Sequence, residues 1–166
     1  MKISALLVLV LCISVVGVSS RAKEGSLEFT PRNGFIGHSE GNGTLKLFWG
    51  KRRPFHVESH GYDQPDGTFR LDQTVTFQGQ PSQKRTWILK TTSQNRYTGT
   101  LSDAAGTVTG RTDGSRLLLE YRVKGPLIMH QTLELMADGK TIDNVGKITF
   151  LGITVGRLHE TITRKD

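Results

Sequence analysis

From about residue 43 to the C-terminus, large apolar and polar side chains alternate with a period of two, and almost no stretch carries the 3.6-residue period of an amphipathic helix. Phe55, Val57 and Ser59 alternate with His56, Glu58 and His60. Phe69, Leu71, Gln73, Val75 and Phe77 alternate with Arg70, Asp72, Thr74 and Thr76. Arg85, Trp87 and Leu89 oppose Lys84, Thr86 and Lys90, and Leu117, Leu119, Tyr121 and Val123 oppose Arg116, Glu120, Arg122 and Lys124. Successive strand residues point to opposite faces, so each run reads as a strand with one dry face and one charged, solvated face.

Turn-forming residues separate these runs at short intervals: Gln64-Pro65-Asp66-Gly67, Gly79-Gln80-Pro81, Ser93-Gln94-Asn95, Ser102-Asp103, Asp113-Gly114, Gly125-Pro126 and Asp138-Gly139. Connections this short leave no room for helical crossovers, so neighbouring strands pair antiparallel. About ten strands are predicted, at 43–49, 53–61, 68–78, 84–90, 95–101, 105–111, 116–124, 127–136, 140–149 and 153–164. The fold class is all-β: a single antiparallel up-and-down barrel of the lipocalin or calycin type with 8 to 10 strands, since closure removes the exposed edges of an open sheet. Gly99, Gly106, Gly110, Gly146, Gly152 and Gly156 fall in or beside strands, where they permit bulges and sharp coiling. Before the strands, a short helical turn is predicted with Thr30 as N-cap and Pro31 at the first helical position, so that Phe29, Phe35 and Ile36 plug one barrel end.

The first 22 residues read differently. Met1-Lys2 precedes an apolar run at residues 3–18, then small residues around Ser20 and Ala22, the pattern of a cleaved secretory signal peptide. Residues 23–166 then form the barrel domain, exported to the periplasm or cell envelope. The only cysteine, Cys12, lies inside the apolar run, so the mature chain has no disulfide, thiol nucleophile or cysteine metal ligand. Losing Lys2 and Arg21 lowers the formal charge from +7 to +5. Lys51-Arg52-Arg53 is the one basic run, and without a binding motif or neighbouring aromatic platform it does not point to nucleic acid. It reads as a solvated turn, compatible with weak attraction to anionic lipid headgroups. A monomer is expected.

Several fragments, in order, resemble the bacterial domain-of-unknown-function family 3833. They are Arg85-Thr86-Trp87, Tyr97-x-Gly99, Asp103-x-x-Gly106, Thr109-Gly110, Leu119-x-Tyr121, Leu133-x-Leu135-Met136 with Asp138-Gly139, and Phe150-x-Gly152-Ile153-x-Val155-Gly156. The resemblance spans residues 28 to 165 and implies an exported protein with a lipocalin-like barrel, but no activity. The chain departs from the family in having Gln131-Thr132-Leu133-Glu134 at an acidic and aromatic stretch, and in lacking a lipoprotein cysteine at the usual place.

Parity also places polar residues on the dry face. Gln73 accompanies Leu71 and Val75, Arg85 accompanies Trp87, and Glu160 lies between inward Leu158 and Ile162. A buried guanidinium or carboxylate needs partners. One solution pairs Arg85 with Glu160, supported by Gln73, Tyr97 or Tyr121. In the other, Arg85 receives the carboxylate or phosphate of a ligand whose apolar body lies among Trp87, Leu119, Tyr121 and Phe77.

The segment His56-Val57-Glu58-Ser59-His60 invites a metal reading, but its two histidines stand about 13 Å apart along an extended strand, and a solvated outer face is the better assignment. His38, His130 and His159 are scattered. No Gly-x-Ser-x-Gly elbow or locally paired carboxylates mark a catalytic site. The leading expectation is therefore a binding protein for a lipid-like or other small apolar ligand, with no cofactor or metal. A small barrel enzyme acting on an apolar substrate would instead show a cleft with converging His, Asp or Glu. A structural or interaction protein would show a filled barrel with an apolar patch outside.

Overall fold

The computed structural model describes residues 28–123 and 125–166. The expected signal peptide with Cys12, and Lys124 on its expected outward face, lie outside the described residues. A helix, α1 (Pro31–Phe35), precedes ten strands: β1 (Gly37–Leu47), β2 (Arg53–Asp63), β3 (Phe69–Phe77), β4 (Gln83–Ser93), β5 (Arg96–Leu101), β6 (Ala105–Asp113), β7 (Arg116–Arg122), β8 (Leu127–Leu135), β9 (Thr141–Phe150) and β10 (Ile153–Arg164). Each strand pairs antiparallel with its sequence neighbours, and β1 pairs with β10, so the sheet closes as an up-and-down barrel. Both the class and the strand count follow the alternation read from the sequence. β2 to β10 match the expected segments to within three residues at either end.

β1 is the exception. It begins at Gly37 rather than residue 43 and ends at Leu47, leaving Phe48 and Trp49 in the following turn. Its inward positions ahead of Leu45 are Ser39, Gly41 and Gly43, so the early half of the strand has no apolar alternation to betray it. Their smallness has a use: a Cβ at Gly41 would collide with the Glu160 carboxylate, and one at Gly43 would meet the Phe55 ring at 2.5 Å. The wall is thin here because its neighbours reach across it.

The two barrel ends differ. Thr30 caps α1, its hydroxyl accepting from the Asn33 amide while Asn33 Oδ1 accepts from the Thr30 amide. The cap aims Phe29 and Phe35 into the barrel, and both are buried, with Ile36 packed against the same core. An Arg32–Asp63 ion pair (2.7 Å) and a bond from Arg164 Nη1 to the Asn33 carbonyl (2.9 Å) tie the plug to β2 and β10. Among the described residues, the opposite end has no helix. It carries the turns at 48–52, 78–82, 102–104 and 151–152 and the β7–β8 turn, and is the barrel mouth.

Candidate functional site

Midway between the plug and the mouth, the inward residues change from apolar to polar. Gln73 on β3 is the hub of one group: its Oε1 accepts from Arg85 Nε (2.8 Å) and from Trp87 Nε1 (2.8 Å), while its Nε2 donates to Ser59 Oγ (3.0 Å). Across the barrel, the Tyr121 hydroxyl donates to Gln131 Oε1 (3.0 Å), Gln131 Nε2 donates to Asn144 Oδ1 (3.2 Å), and Asn144 Nδ2 donates to Glu160 Oε2 (2.9 Å). Trp87 and Tyr121 meet edge to face with centroids 5.2 Å apart, joining the two groups into a belt.

Arg85 and Glu160 do not form the expected ion pair. Each is served instead by a neutral amide, Gln73 for the guanidinium and Asn144 for the carboxyl. The chemistry of the belt follows from that difference. Burial pushes the Glu160 carboxyl above its ordinary range, against the opposing pull of the Asn144 hydrogen bond and the Arg85 and His56 charges. Burial likewise pushes the Tyr121 phenol up to about 12. Among the described residues, no carboxylate forms a salt bridge with the Arg85 guanidinium. It is half-buried and lies 5.8 Å from the Trp87 ring centre, and among the described residues its two terminal nitrogens have no hydrogen-bond partner.

A cavity of about 40 Å³ lies against the belt, lined by Gln73, Arg85, Trp87, Asn144 and Glu160 and by apolar residues including Leu119 and Phe35. That is room for a few waters. Pockets that hold drug-sized ligands run to about 300–1,000 Å³. In this form, the interior is therefore nearly filled by side chains.

Of the residues singled out in the sequence, Gln73, Arg85, Trp87, Tyr121 and Glu160 come together in the belt, with Leu119 beside them. Tyr97 does not join them. It lies toward the plug, two inward positions from Leu101, in the main apolar core. Phe77 lies toward the mouth, half-buried against Phe55 and beneath the Arg53 guanidinium (4.7 Å), in a second cluster with Phe55, Val57, Val75, Leu45 and Leu158. Ser59, Gln131 and Asn144 complete the belt. The parity that exposed Gln73 marks Gln131 between Met129 and Leu133, and Asn144 between Ile142 and Ile148, as polar residues on the dry face.

The histidine-rich segment lies on the outer wall. His56 Nδ1 meets Asn42 Oδ1 (3.0 Å), and the His60 ring stacks on His38 (4.4 Å) and leans on Tyr62. His130 and His159 make cross-strand pairs with Glu120 (3.1 Å) and Asp143 (2.7 Å).

The family model described as "Protein of unknown function (DUF3833)" matches residues 7–164, and the chain belongs to that family. No curated protein matches the sequence. Among solved structures, the fold is similar to the S-type phycobiliprotein lyase of Guillardia theta, with a TM-score of 0.63 and 8% identity over 79% of this chain and 88% of that one. It is also similar to a DUF3598-family protein of unknown function from Nostoc punctiforme, with a TM-score of 0.56, 11% identity and 88% of this chain covered. This chain spans 53% of that second protein's length. At such identities the likeness concerns the fold.

Proposed function

We propose that this DUF3833 chain is an exported binding protein that takes a small lipid-like or otherwise apolar molecule with an anionic group into the mouth half of its barrel. The observation that carries the reading is Arg85, a cation in the barrel interior whose terminal nitrogens are unpartnered among the described residues, while burial favours the neutral form of Glu160. The guanidinium is half-buried and its terminal nitrogens are accessible, so a ligand carboxylate or phosphate could reach them and supply two charge-assisted hydrogen bonds. The apolar body would lie toward the mouth, among Trp87, Tyr121, Leu119 and Phe77.

A cavity of about 40 Å³ cannot hold such a body, so binding requires the mouth to open. The sector suited to opening is the second cluster, Phe55, Val57 and Val75 with Leu45, Phe77 and Leu158, whose three buried members lie outside the main core, joined to it through Leu45, and which backs onto the glycine-containing β1. Export rests on the leader pattern of residues 1–22, and places the protein in the bacterial periplasm or cell envelope.

Native mass spectrometry of protein purified from its own host tests this reading, with a co-purified small molecule expected. Arg85→Ala should lower its retention roughly 10- to 150-fold, the equivalent of about 1.5–3 kcal/mol for hydrogen bonds to a charged group. The fold should lose little, because Gln73 Oε1 keeps the Trp87 donor. The filled interior favours a second reading, an interaction protein of the envelope whose belt only fixes strand register. Absence of any bound small molecule, or equal loss of retention and stability in Arg85→Ala, would establish that reading instead.

A further inference from the structure

Most of the large exposed apolar side chains are gathered on two neighbouring hairpins at the mouth. Trp49 is 89% exposed, Leu151 78%, Ile153 69% and Phe48 68%, with Leu47 and Phe150 beside them. The hairpins adjoin because β1 pairs with β10, and the Phe48 amide donates to the Val155 carbonyl (2.8 Å). The other described turns at the mouth, Gln78-Gly79-Gln80-Pro81-Ser82 and Ser102-Asp103-Ala104, are polar. One side of the rim is therefore apolar.

Two further features distinguish this rim from a chance exposure. Leu151 is the one described non-glycine residue with positive φ, at 47°, and opens the two-residue turn Leu151-Gly152. Asn or Gly is the usual occupant there, and a bulky side chain is disfavoured. The charge is also one-sided: Lys46, Lys51, Arg52, Arg53, Lys147 and Arg157 are all exposed on these two hairpins, and the stretches 46–53 and 147–157 contain no acidic residue. The most exposed apolar groups, Phe48, Trp49 and Leu151, sit in the turns themselves, with Lys46, Arg53, Lys147 and Arg157 set back along the strands around a shallow depression between the two hairpins. A protein partner would need a groove to receive them. A bilayer needs only an apolar layer beneath anionic headgroups, with tryptophan at the boundary.

We propose that the tips of the β1–β2 and β9–β10 hairpins insert into the headgroup region of an anionic lipid bilayer, with the surrounding lysines and arginines on its phosphates. This does not depend on a ligand inside the barrel, although it would set the barrel mouth toward the lipid. The chain has two tryptophans, and Trp87 is buried, so a full-length Trp87→Phe variant reports on Trp49 alone.

With phosphatidylcholine vesicles containing phosphatidylglycerol, Trp49 emission should shift to the blue and escape aqueous quenchers. Lys51→Gln with Arg52→Gln should weaken partitioning about 25-fold, at roughly fivefold per charge. Should Trp87→Phe unfold, vesicle flotation of Leu151→Asn serves instead: this variant suits the turn, so it should melt no lower than the parent yet float less. Arg85→Ala should leave the Trp49 response unchanged, which separates this proposal from the ligand reading. A Trp49 signal indifferent to vesicles, or equal with neutral and anionic lipid, overturns it. So does shielding of Trp49 without lipid, whether lost on dilution, as for a second copy, or independent of concentration, as for the chain's own N-terminal segment.

Discussion

At the plugged end of the barrel, Phe29, Phe35, Leu89, Tyr97, Leu117, Leu135 and Ile142 belong to one continuous apolar core. Toward the mouth, that core continues through Leu101, Val108, Met129 and Ile148 on β5 to β9, whereas on the β1 to β3 side the interior passes through the polar belt to a small cluster around Phe55, Val57 and Val75, and further apolar groups stand in solvent. The same ten strands build both halves, with the same alternation. Stability alone accounts for the first half: its inward apolar side chains are covered, the helix supplies the cover, and Met136 is the one large apolar side chain that its described turns leave exposed. It does not account for a guanidinium without a counter-ion, a buried carboxyl or a leucine in the left-handed region. Natural cores give up packing of this kind chiefly where something must bind or move.

The largest test of that contrast is Phe29→Ala. The ring is fully buried beneath α1, 6.1 Å from the Phe35 centroid, and its backbone amide donates to the Gly114 carbonyl (2.8 Å). Its loss should cost about 3–5 kcal/mol in urea unfolding, whereas Trp49→Ala, at an exposed tip, should stay within about 0.5 kcal/mol. Comparable losses at the two sites would mean that the mouth hairpins are as much a part of the fold as the plug.

Gln73 probes the boundary between the halves. Gln73→Ala strips the acceptor from both Arg85 and Trp87 and should cost about 1–3 kcal/mol, because two donors are left without their partner. Adding Arg85→Met should cost less than the sum of the two single changes, since the stranded guanidinium is removed with its acceptor. Strict additivity would show that Arg85 finds its hydrogen bonds elsewhere.

How much of this was legible in the sequence depended on whether a residue's role is local. Strands, turns and the Thr30 cap are set by neighbours in the chain, and parity alone carried Gln73, Arg85 and Glu160 to the interior. Parity gives a direction but no height along the barrel axis. For that reason parity alone ranks Tyr97 with Tyr121 as a support for Arg85, whereas strand tilt and register carry it toward the plug. Charge complementarity likewise points to an Arg85–Glu160 contact, but the register interposes Gln73, Asn144 and Gln131. The early half of β1 was hidden because its inward residues are Ser and Gly, whose role is to make room for Glu160 and Phe55 from other strands.

The smallest effect is the most discriminating about the belt, because its sign depends on which proton form of Glu160 the fold prefers. Burial raises this carboxyl above its ordinary value of 4.5, so between that value and the raised one the folded chain holds a proton that the unfolded chain has released. The stability contributed by the protonated carboxyl is then fully present at acidic pH below 4.5 and is lost as pH rises through the folded value. Glu160→Gln keeps an acceptor for Asn144 Nδ2 and removes the titration, so its advantage over the parent should grow from pH 4 toward neutrality and then level off. Urea midpoints across that range measure it. A parent that instead gains on the variant as pH rises would mean an ionised Glu160 answering Arg85 within the barrel, and the counter-ion that a ligand would bring would already be present.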